Sequence, residues 1–325
     1  MMSARHILQA LAAAAGFFLL GTALEARGAD APKDLVLRGD AKCTKCHDES
    51  DDYPVLAIGQ TRHGVKGDAR TPSCTSCHGE SDRHANKPSD AVERPKPDVI
   101  FKGAQKSNAH TVSERCLACH EGAGKRMHWS GSAHESRDIA CTNCHSIHTP
   151  HDNVTDKVTQ PEVCFTCHKE QRSQIHKISV HPIEAGKMGC SSCHNPHGSA
   201  GPTLLVKNSV NETCYTCHAE KRGPFLWEHS PVFDNCANCH QPHGSSNPPL
   251  LKARVPWLCQ ECHSGDHGAA VNSGANLPGG NATTINGMLP PPNQSPRAQT
   301  NARACLNCHV LVHGSNHPAG AKFQR

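Results

Sequence analysis

The chain has 325 residues, of which 36% are hydrophobic and only 4% aromatic. Its 20 cysteines and 26 histidines far exceed ordinary usage, which argues against an interior built from aliphatic and aromatic side chains. The formal net charge of +4 is small and spread along the chain, so no nucleic acid partner is expected.

The first 29 residues have the pattern of a secretory signal peptide. Arg5 lies in a short basic region, an apolar run follows over residues 7–20, and Ala23, Ala26 and Ala29 offer cleavage points. This run is shorter than the roughly 20 residues that a membrane-spanning helix needs, so an uncleaved anchor is the weaker alternative. The mature chain is therefore expected to be exported, in a bacterium to the periplasm.

The sequence Cys-x-x-Cys-His recurs ten times and uses every cysteine. We number these motifs 1 to 10 in chain order. Their cysteines are Cys43, Cys46, Cys74, Cys77, Cys116, Cys119, Cys141, Cys144, Cys164, Cys167, Cys190, Cys193, Cys214, Cys217, Cys236, Cys239, Cys259, Cys262, Cys305 and Cys308. The histidines that end them are His47, His78, His120, His145, His168, His194, His218, His240, His263 and His309.

Three kinds of site use paired cysteines at this spacing. Disulfides are common in exported proteins, but they give no reason for a histidine after every second cysteine. Zinc sites need a second pair of ligands at a regular offset, whereas each pair here carries its own histidine. Covalent haem attachment explains all three residues, because two thiols bind the porphyrin and the histidine binds the iron. Ten c-type haems are therefore predicted.

A second axial ligand for each iron is expected to be another histidine, because methionines are scarce. Beyond the ten motif histidines and His6, 15 histidines remain. The motifs fall into five two-haem units, which we call motif pairs, each with a histidine before and a histidine after its second motif. The predicted distal ligands are His63, His84, His134, His148, His181, His197, His229, His243, His267 and His313. The short Cys-His-x-x-His segments are expected to ligate a neighbouring haem and not their own.

Five histidines are left over from this scheme, and they are interpreted as surface residues or partners of haem propionates. They are His110, His128, His151, His176 and His317. Among these, His128, His176 and His317 compete with the chosen distal ligands because of their spacing from the motifs.

The mature chain, 30–325, is predicted to form a single elongated domain of loops and short α-helices wrapped around ten haems, with little or no β-sheet. The interval 268–304 is rich in Gly, Pro and Asn and is expected to be an extended loop. All ten motifs end in histidine, so no iron is reserved for a substrate, and electron transfer is favoured over catalysis.

Several stretches resemble the MtrA/MtoA/PioA/DmsE family of decahaem cytochromes. They are the ten motifs themselves, the repeated "CHNPHGS" and "CHQPHGS", the stretch "NETCYTCHAEKRGPFLWEHSPV" and the ending "CLNCHVLVHGSNHP". The similarity covers essentially the whole mature chain. No long N-terminal extension like that of the PioA branch precedes it, which leaves the MtrA, MtoA and DmsE branches, and the MtrA or MtoA branch is favoured.

The resemblance implies a bis-histidine haem chain in the periplasm, partly inserted in an outer-membrane β-barrel of the MtrB/MtoB/PioB type. The implied partners are periplasmic or inner-membrane c-type cytochromes and an outer-surface multihaem cytochrome. Such a chain serves extracellular metal reduction or Fe(II) oxidation, and its direction is open. The alternatives are a multihaem oxidoreductase acting on nitrogen or sulfur oxyanions, and a soluble electron shuttle or donor to a terminal sulfoxide reductase.

Overall fold

The computed structural model describes residues 39–263, 305–318 and 320–324. The predicted signal peptide, the predicted loop over 268–304 and His267 lie outside these residues. In the described part, short helices are joined by turns and loops, and β pairing is limited to isolated bridges. This confirms the prediction of loops and short α-helices with little or no sheet.

The α-helices are short, and the longest described one has 12 residues. They are α1 (Ala41–Thr44), α2 (Cys74–His78), α3 (Asp82–Ala85), α4 (Ala109–His120), α5 (Gln160–Phe165), α6 (Lys169–Ile175), α7 (Val210–Tyr215), α8 (Ser230–Asp234) and α9 (Trp257–Gln260). The 3-10 helices are Val55–Gln60, Arg62–Gly64, Glu135–Arg137, Cys141–Asn143, Asn153–Thr155, Cys190–Ser192, Pro202–Leu204, Ala219–Lys221, Cys236–Asn238, Cys305–Asn307 and Gly320–Lys322.

Each attachment motif lies on a single helical turn. The first motif of a pair begins in an α-helix, and the second begins in a 3-10 helix, except for motif 2 in α2. The histidine N–H donates to the carbonyl of the first cysteine, as from His145 to Cys141 at 2.9 Å and from His194 to Cys190 at 3.0 Å. This turn brings both thiols and the imidazole to one side of the backbone.

The apolar core of the described residues is small. It consists of seven buried side chains: Val99, Val112, Trp129, Ala140, Phe165, Ile175 and Leu205. Large apolar side chains such as Leu226 and Phe233 are exposed by 75% and 64%. A core of this size is far below what a chain of this length ordinarily buries, which agrees with an interior completed by cofactors.

A buried polar side chain joins the two motifs of a pair in three cases. It lies three or four residues before the first cysteine and accepts a backbone N–H at the start of the second motif. The pairs are Asp40 with Cys74 (3.1 Å), Gln160 with Ser191 (2.9 Å) and Asn211 with Cys236 (2.6 Å). These side chains are 3%, 7% and 7% exposed, so water does not compete for the bonds.

Replacing Asn211 with leucine is expected to lower the free energy of unfolding of the haem-loaded protein by about 1–3 kcal/mol. Its amide also donates to the carbonyls of Val232 (3.0 Å) and Phe233 (2.8 Å), so three backbone groups lose their partner. Guanidinium unfolding followed by haem absorbance measures the change. The control is Asn238→Leu, because Asn238 is exposed and makes one bond to Pro231. Equal losses in both variants would contradict the role of Asn211.

The described residues divide into two compact units. The first contains residues up to 98 together with 148–150, and therefore motifs 1 and 2. The second contains 99–147 and the residues from 151 onward, and therefore motifs 3 to 10. A single elongated body thus stays a prediction. Within the described ranges, no helix has the length and apolar character needed to cross a membrane.

Candidate haem-binding sites

The 20 cysteines all lie in the described part of the chain, and none of them forms a disulfide there. The first cysteines of the two motifs in each pair lie together: Cys43 with Cys74, Cys116 with Cys141, Cys164 with Cys190, Cys214 with Cys236, and Cys259 with Cys305. Hydrogen bonds between the side chains join Cys116 to Cys141 and Cys164 to Cys190.

The second cysteines connect one motif pair to the next within the larger compact unit. Three pairs of second cysteines are close enough to interact electrostatically. They are Cys144 with Cys167, Cys193 with Cys217, and Cys239 with Cys262. From motif 3 to motif 10, neighbouring motifs therefore approach each other alternately through their first cysteines and through their second cysteines. Consecutive motifs in the sequence are consecutive neighbours in space throughout this unit.

Eight motif histidines each face a second histidine across a nearly constant gap. The ring centroids are 6.0–6.4 Å apart in every pair. The pairs, motif histidine first, are His47–His84, His78–His148, His145–His197, His168–His134, His194–His243, His218–His181, His240–His313 and His263–His229.

This gap fits one metal ion between two imidazoles. A histidine nitrogen binds a metal at about 2 Å and lies about 1.1 Å from its ring centre, so two opposed ligands place their ring centres about 6.2 Å apart. Direct stacking of the two rings would bring them closer. Two opposed imidazoles beside a Cys-x-x-Cys turn are the donor set that an iron porphyrin needs.

In five of the eight second histidines, the Nδ1 atom is hydrogen-bonded to a backbone carbonyl. The bonds are His84 to Pro95 (2.8 Å), His134 to Pro196 (2.7 Å), His148 to Val55 (2.6 Å), His181 to Pro242 (2.8 Å) and His229 to Val312 (2.9 Å). A carbonyl oxygen only accepts, so the hydrogen is on Nδ1 and the lone pair of Nε2 is left for a metal.

Burial keeps several of these imidazoles neutral, as metal binding requires. Desolvation lowers the pKa of His197 to about 4, with smaller contributions from the charges of His145 and Arg126. Desolvation also lowers the pKa of His243 and His313 on the distal side and of His240 in motif 8. Since protonation would occupy Nε2, a low pKa preserves the ligand at neutral pH.

The partners of seven second histidines follow a register that sequence reasoning left open. His84 is the exception, because it follows motif 2 and faces His47 of motif 1 in the same pair. The histidine after the second motif of a pair faces the second motif of the preceding pair, as His197 faces His145 and His243 faces His194. The histidine before the second motif faces the first motif of the following pair, as His134 faces His168. The Cys-His-x-x-His histidines thus reach a motif two positions back, and not the adjacent one.

Three short segments, which we call the ligand loops, produce this register. They are residues 196–199, 242–245 and 312–315. Pro242 accepts from His181, and Ser245 forms a β-bridge with Ser179, so this loop lies against the segment that precedes motif 6. His243 is thereby carried to His194. The loop at 312–315 repeats the arrangement through a bridge between Ser315 and Trp227.

A glycine in each ligand loop allows the close approach. Gly198, Gly244 and Gly314 have φ values of +111°, +151° and +130°, which favour glycine. A Cβ at Gly198 would overlap the backbone carbonyl of His128, and a Cβ at Gly244 would overlap that of Gln174. The "HGS" pattern in the sequence is the signal for this contact.

The remaining histidines are placed as follows. His63 lies in the 3-10 helix Arg62–Gly64, where desolvation lowers its pKa, and its role as a distal ligand stays a prediction. The predicted ligand His267 lies outside the described residues. Of the surplus histidines, His110 pairs with Glu114 at 3.3 Å and His176 with Glu184 at 2.9 Å, both with exposed side chains. Both therefore agree with the surface role expected for them.

Comparison with known proteins identifies the family. A model described as "Doubled CXXCH motif" matches residues 181–223 and 229–268, and one described as "Cytochrome c-type protein NrfB-like" matches 74–160. The multiheme cytochrome MtrA of Shewanella baltica (strain OS185) is 41% identical over 289 residues, which cover 89% of this chain and 82% of that protein. The chain belongs to the MtrA family of multihaem cytochromes.

Membership in this family confirms the fold class of a multihaem cytochrome c and the presence of several covalently bound c-type haems. It also selects covalent haem attachment over the disulfide and the zinc site that were considered from the sequence. Each doubled-motif range contains two motifs, 6 with 7 and 8 with 9, whose second cysteines are neighbours.

Proposed function

We propose that this chain is a periplasmic decahaem cytochrome that conducts electrons through an outer-membrane porin–cytochrome complex. It would connect periplasmic or inner-membrane redox partners with the cell exterior, for metal reduction or Fe(II) oxidation. The observation that carries the proposal is the unbroken spatial succession of motifs 3 to 10. Attachment sites in such an order suit transfer from one site to the next.

The proposed ligand set contains all ten motifs. The 20 cysteines would hold ten haems, the ten motif histidines would bind on the proximal side, and the predicted histidines would bind on the distal side. The eight facing pairs support this assignment for eight sites. Haem iron supplies a one-electron couple, and two histidine ligands keep its potential below that of a His/Met site.

Transfer is favoured over catalysis because a second imidazole faces the motif histidine at eight of the ten motifs. Catalysis at a haem requires an open or easily vacated coordination position. In the eight facing pairs, an imidazole stands where a substrate would bind, and hydrogen bonds hold five of these distal rings. An oxidoreductase acting on nitrogen or sulfur oxyanions would need a site of another kind.

The proposed location rests on the secretory pattern of residues 1–29 and on the family. Covalent attachment of c-type haem takes place outside the cytoplasm, which agrees with export. A β-barrel of the MtrB type and an outer-surface cytochrome are the partners proposed from the resemblance. A soluble shuttle or a donor to a sulfoxide reductase is the alternative if no barrel binds.

The purified protein is expected to carry ten haems with every iron low-spin. Intact-mass analysis gives the number of haems, and an EPR spectrum of the oxidised protein gives the spin states. Carbon monoxide added to the reduced protein tests for a vacant position. Fewer than ten haems would contradict the ligand set, and a high-spin iron that binds carbon monoxide would favour the oxidoreductase.

The conduit itself is tested by isolation of a barrel complex from outer membranes. Reconstitution of that complex in vesicles that contain a reduced dye should permit oxidation of the dye by an external acceptor. Vesicles with the barrel alone are the control. A protein with ten low-spin haems that binds no barrel would leave the shuttle as its function.

A further inference from the structure

The motif histidines differ in what their Nδ1 atoms contact. Three bind backbone carbonyls: His194 to Thr203 (2.9 Å), His240 to Pro249 (3.0 Å) and His309 to Lys322. Two are hydrogen-bonded to a carboxylate instead: His47 to Asp51 at 3.1 Å and His145 to Asp152 at 2.7 Å. A third, His218, lies 3.8 Å from Glu220, which is beyond hydrogen-bond distance. Motifs 1 and 4 therefore have a charged acceptor where motifs 6, 8 and 10 have a neutral one.

The two carboxylates are held in the same way. Asp152 accepts the backbone N–H of Ser146 through Oδ1 and the His145 ring through Oδ2. Asp51 accepts the backbone N–H of Asp48 and the His47 ring through Oδ2. In each case, the residue directly after the motif histidine fixes the carboxylate. The Asp152 side chain is 20% exposed and that of His145 31%, so this contact is well shielded from water.

The carbonyl acceptors come from turns with unusual backbone angles. Thr203, which accepts from His194, has φ +50°, and the following Leu204 has φ +61°. The carbonyl of Leu204 accepts the N–H of Asn195, the residue after His194. Both kinds of acceptor thus bind the same two donors, and they differ chiefly in charge.

A charged acceptor changes the electron donation of the imidazole. A carboxylate draws the Nδ1 proton towards itself, which raises the basicity of Nε2 and strengthens its bond to a metal. The negative charge also stabilises the more positive ferric state over the ferrous state. Both effects lower the reduction potential of the iron that the histidine binds.

We propose that Asp51 and Asp152 are potential-setting residues, each of which lowers the reduction potential of the haem held by the adjacent motif histidine. They would act through His47 and His145, to which they are hydrogen-bonded. This inference rests on the proposed ligation of iron by these two histidines.

The test is a redox titration of full-length, haem-loaded Asp152→Asn and Asp51→Asn proteins. In each variant, the reduction potential of one haem in ten should rise by about 59 mV. This is a tenfold change in the equilibrium constant for its reduction. Removal of outer-shell acceptors changes metal-site properties by about 10–100-fold, so tenfold is a conservative expectation.

The matched controls are Asp156→Asn and Asp52→Asn, which remove the same charge nearby. Asp156 accepts from Val158, and among residues 39–263, 305–318 and 320–324 neither control carboxylate is hydrogen-bonded or ion-paired to a histidine.

The outcomes separate the inference from the proposed function. Ten low-spin haems in the unmodified protein establish the ligation whatever the variants do. An unchanged potential, a downward shift, or an equal shift in variant and control would overturn the role of the carboxylates. Loss of the haem in one variant leaves the other as the test, and loss in both would show that the carboxylates retain the haem and do not set its potential.

Discussion

Replacing His134 with alanine is expected to remove the most anisotropic low-spin EPR signal of the oxidised protein and to add one high-spin signal. His134 faces His168 with an angle of 83° between the ring planes. In the other seven facing pairs of the described residues, the angle is between 9° and 54°. The affected iron should therefore be recognisable within a spectrum of ten.

The physical reason lies in the iron d orbitals. Two parallel imidazole planes split the pair of orbitals that interact with the ligand π systems, whereas perpendicular planes leave them nearly equal in energy. Near-equal energies give strong magnetic anisotropy. The loss of His134, which directly precedes motif 4, should alter the haem of motif 5, because His168 belongs to that motif.

The matched control is His197→Ala. Its ring lies at 9° to that of His145, so this variant should also create a high-spin iron but leave the most anisotropic signal in place. His176→Ala should change neither signal, because His176 pairs with Glu184 on the surface. If His134→Ala kept the anisotropic signal, the register of distal ligands described above would be wrong.

Replacing Gly244 with alanine is expected to disturb two haems at once, those of motifs 6 and 7. The new Cβ would overlap the carbonyl of Gln174 and push the ligand loop 242–245 away. His243 on this loop faces His194, and Pro242 accepts from His181, which faces His218. One displacement therefore reaches two distal ligands.

Gly103→Ala is the control for this effect. Gly103 also has a positive φ of +88°, but a Cβ there would meet nothing within 4 Å. Backbone strain of about 1–3 kcal/mol is common to both variants, while overpacking adds about 1–3 kcal/mol only at Gly244. The free energy of unfolding and the EPR spectrum measure the two effects. A change confined to one haem would contradict the coupling through the loop.

Much of the molecule could be predicted because the residues that attach each haem are close together in the sequence. A Cys-x-x-Cys-His motif needs one helical turn, and hydrogen bonds within the turn form it in all the motifs, as at Cys141–His145. The shortage of aromatic residues likewise predicted a small apolar core. Both inferences depend on local geometry or on composition, which do not require knowledge of distant contacts.

The partner of each distal histidine could not be predicted from spacing. His243 follows motif 8 by three residues, yet it faces His194 of motif 6, because the bridge between Ser245 and Ser179 brings two distant segments together. Likewise, the carboxylates beside His47 and His145 are four and seven residues away, and spacing alone does not identify them. Asp82 also lies four residues after a motif histidine, His78, yet its carboxylate pairs with Lys42.

The sequence by itself determined what the chain can bind: ten motifs, the histidines available to complete them, and the glycines of the ligand loops. These are properties of residues near one another in the chain, where bond geometry leaves few arrangements. Only the tertiary structure decided which imidazoles face each other, at what angle, and beside which charge. Those relations arise from contacts between segments tens of residues apart, and many pairings are compatible with the same local pattern.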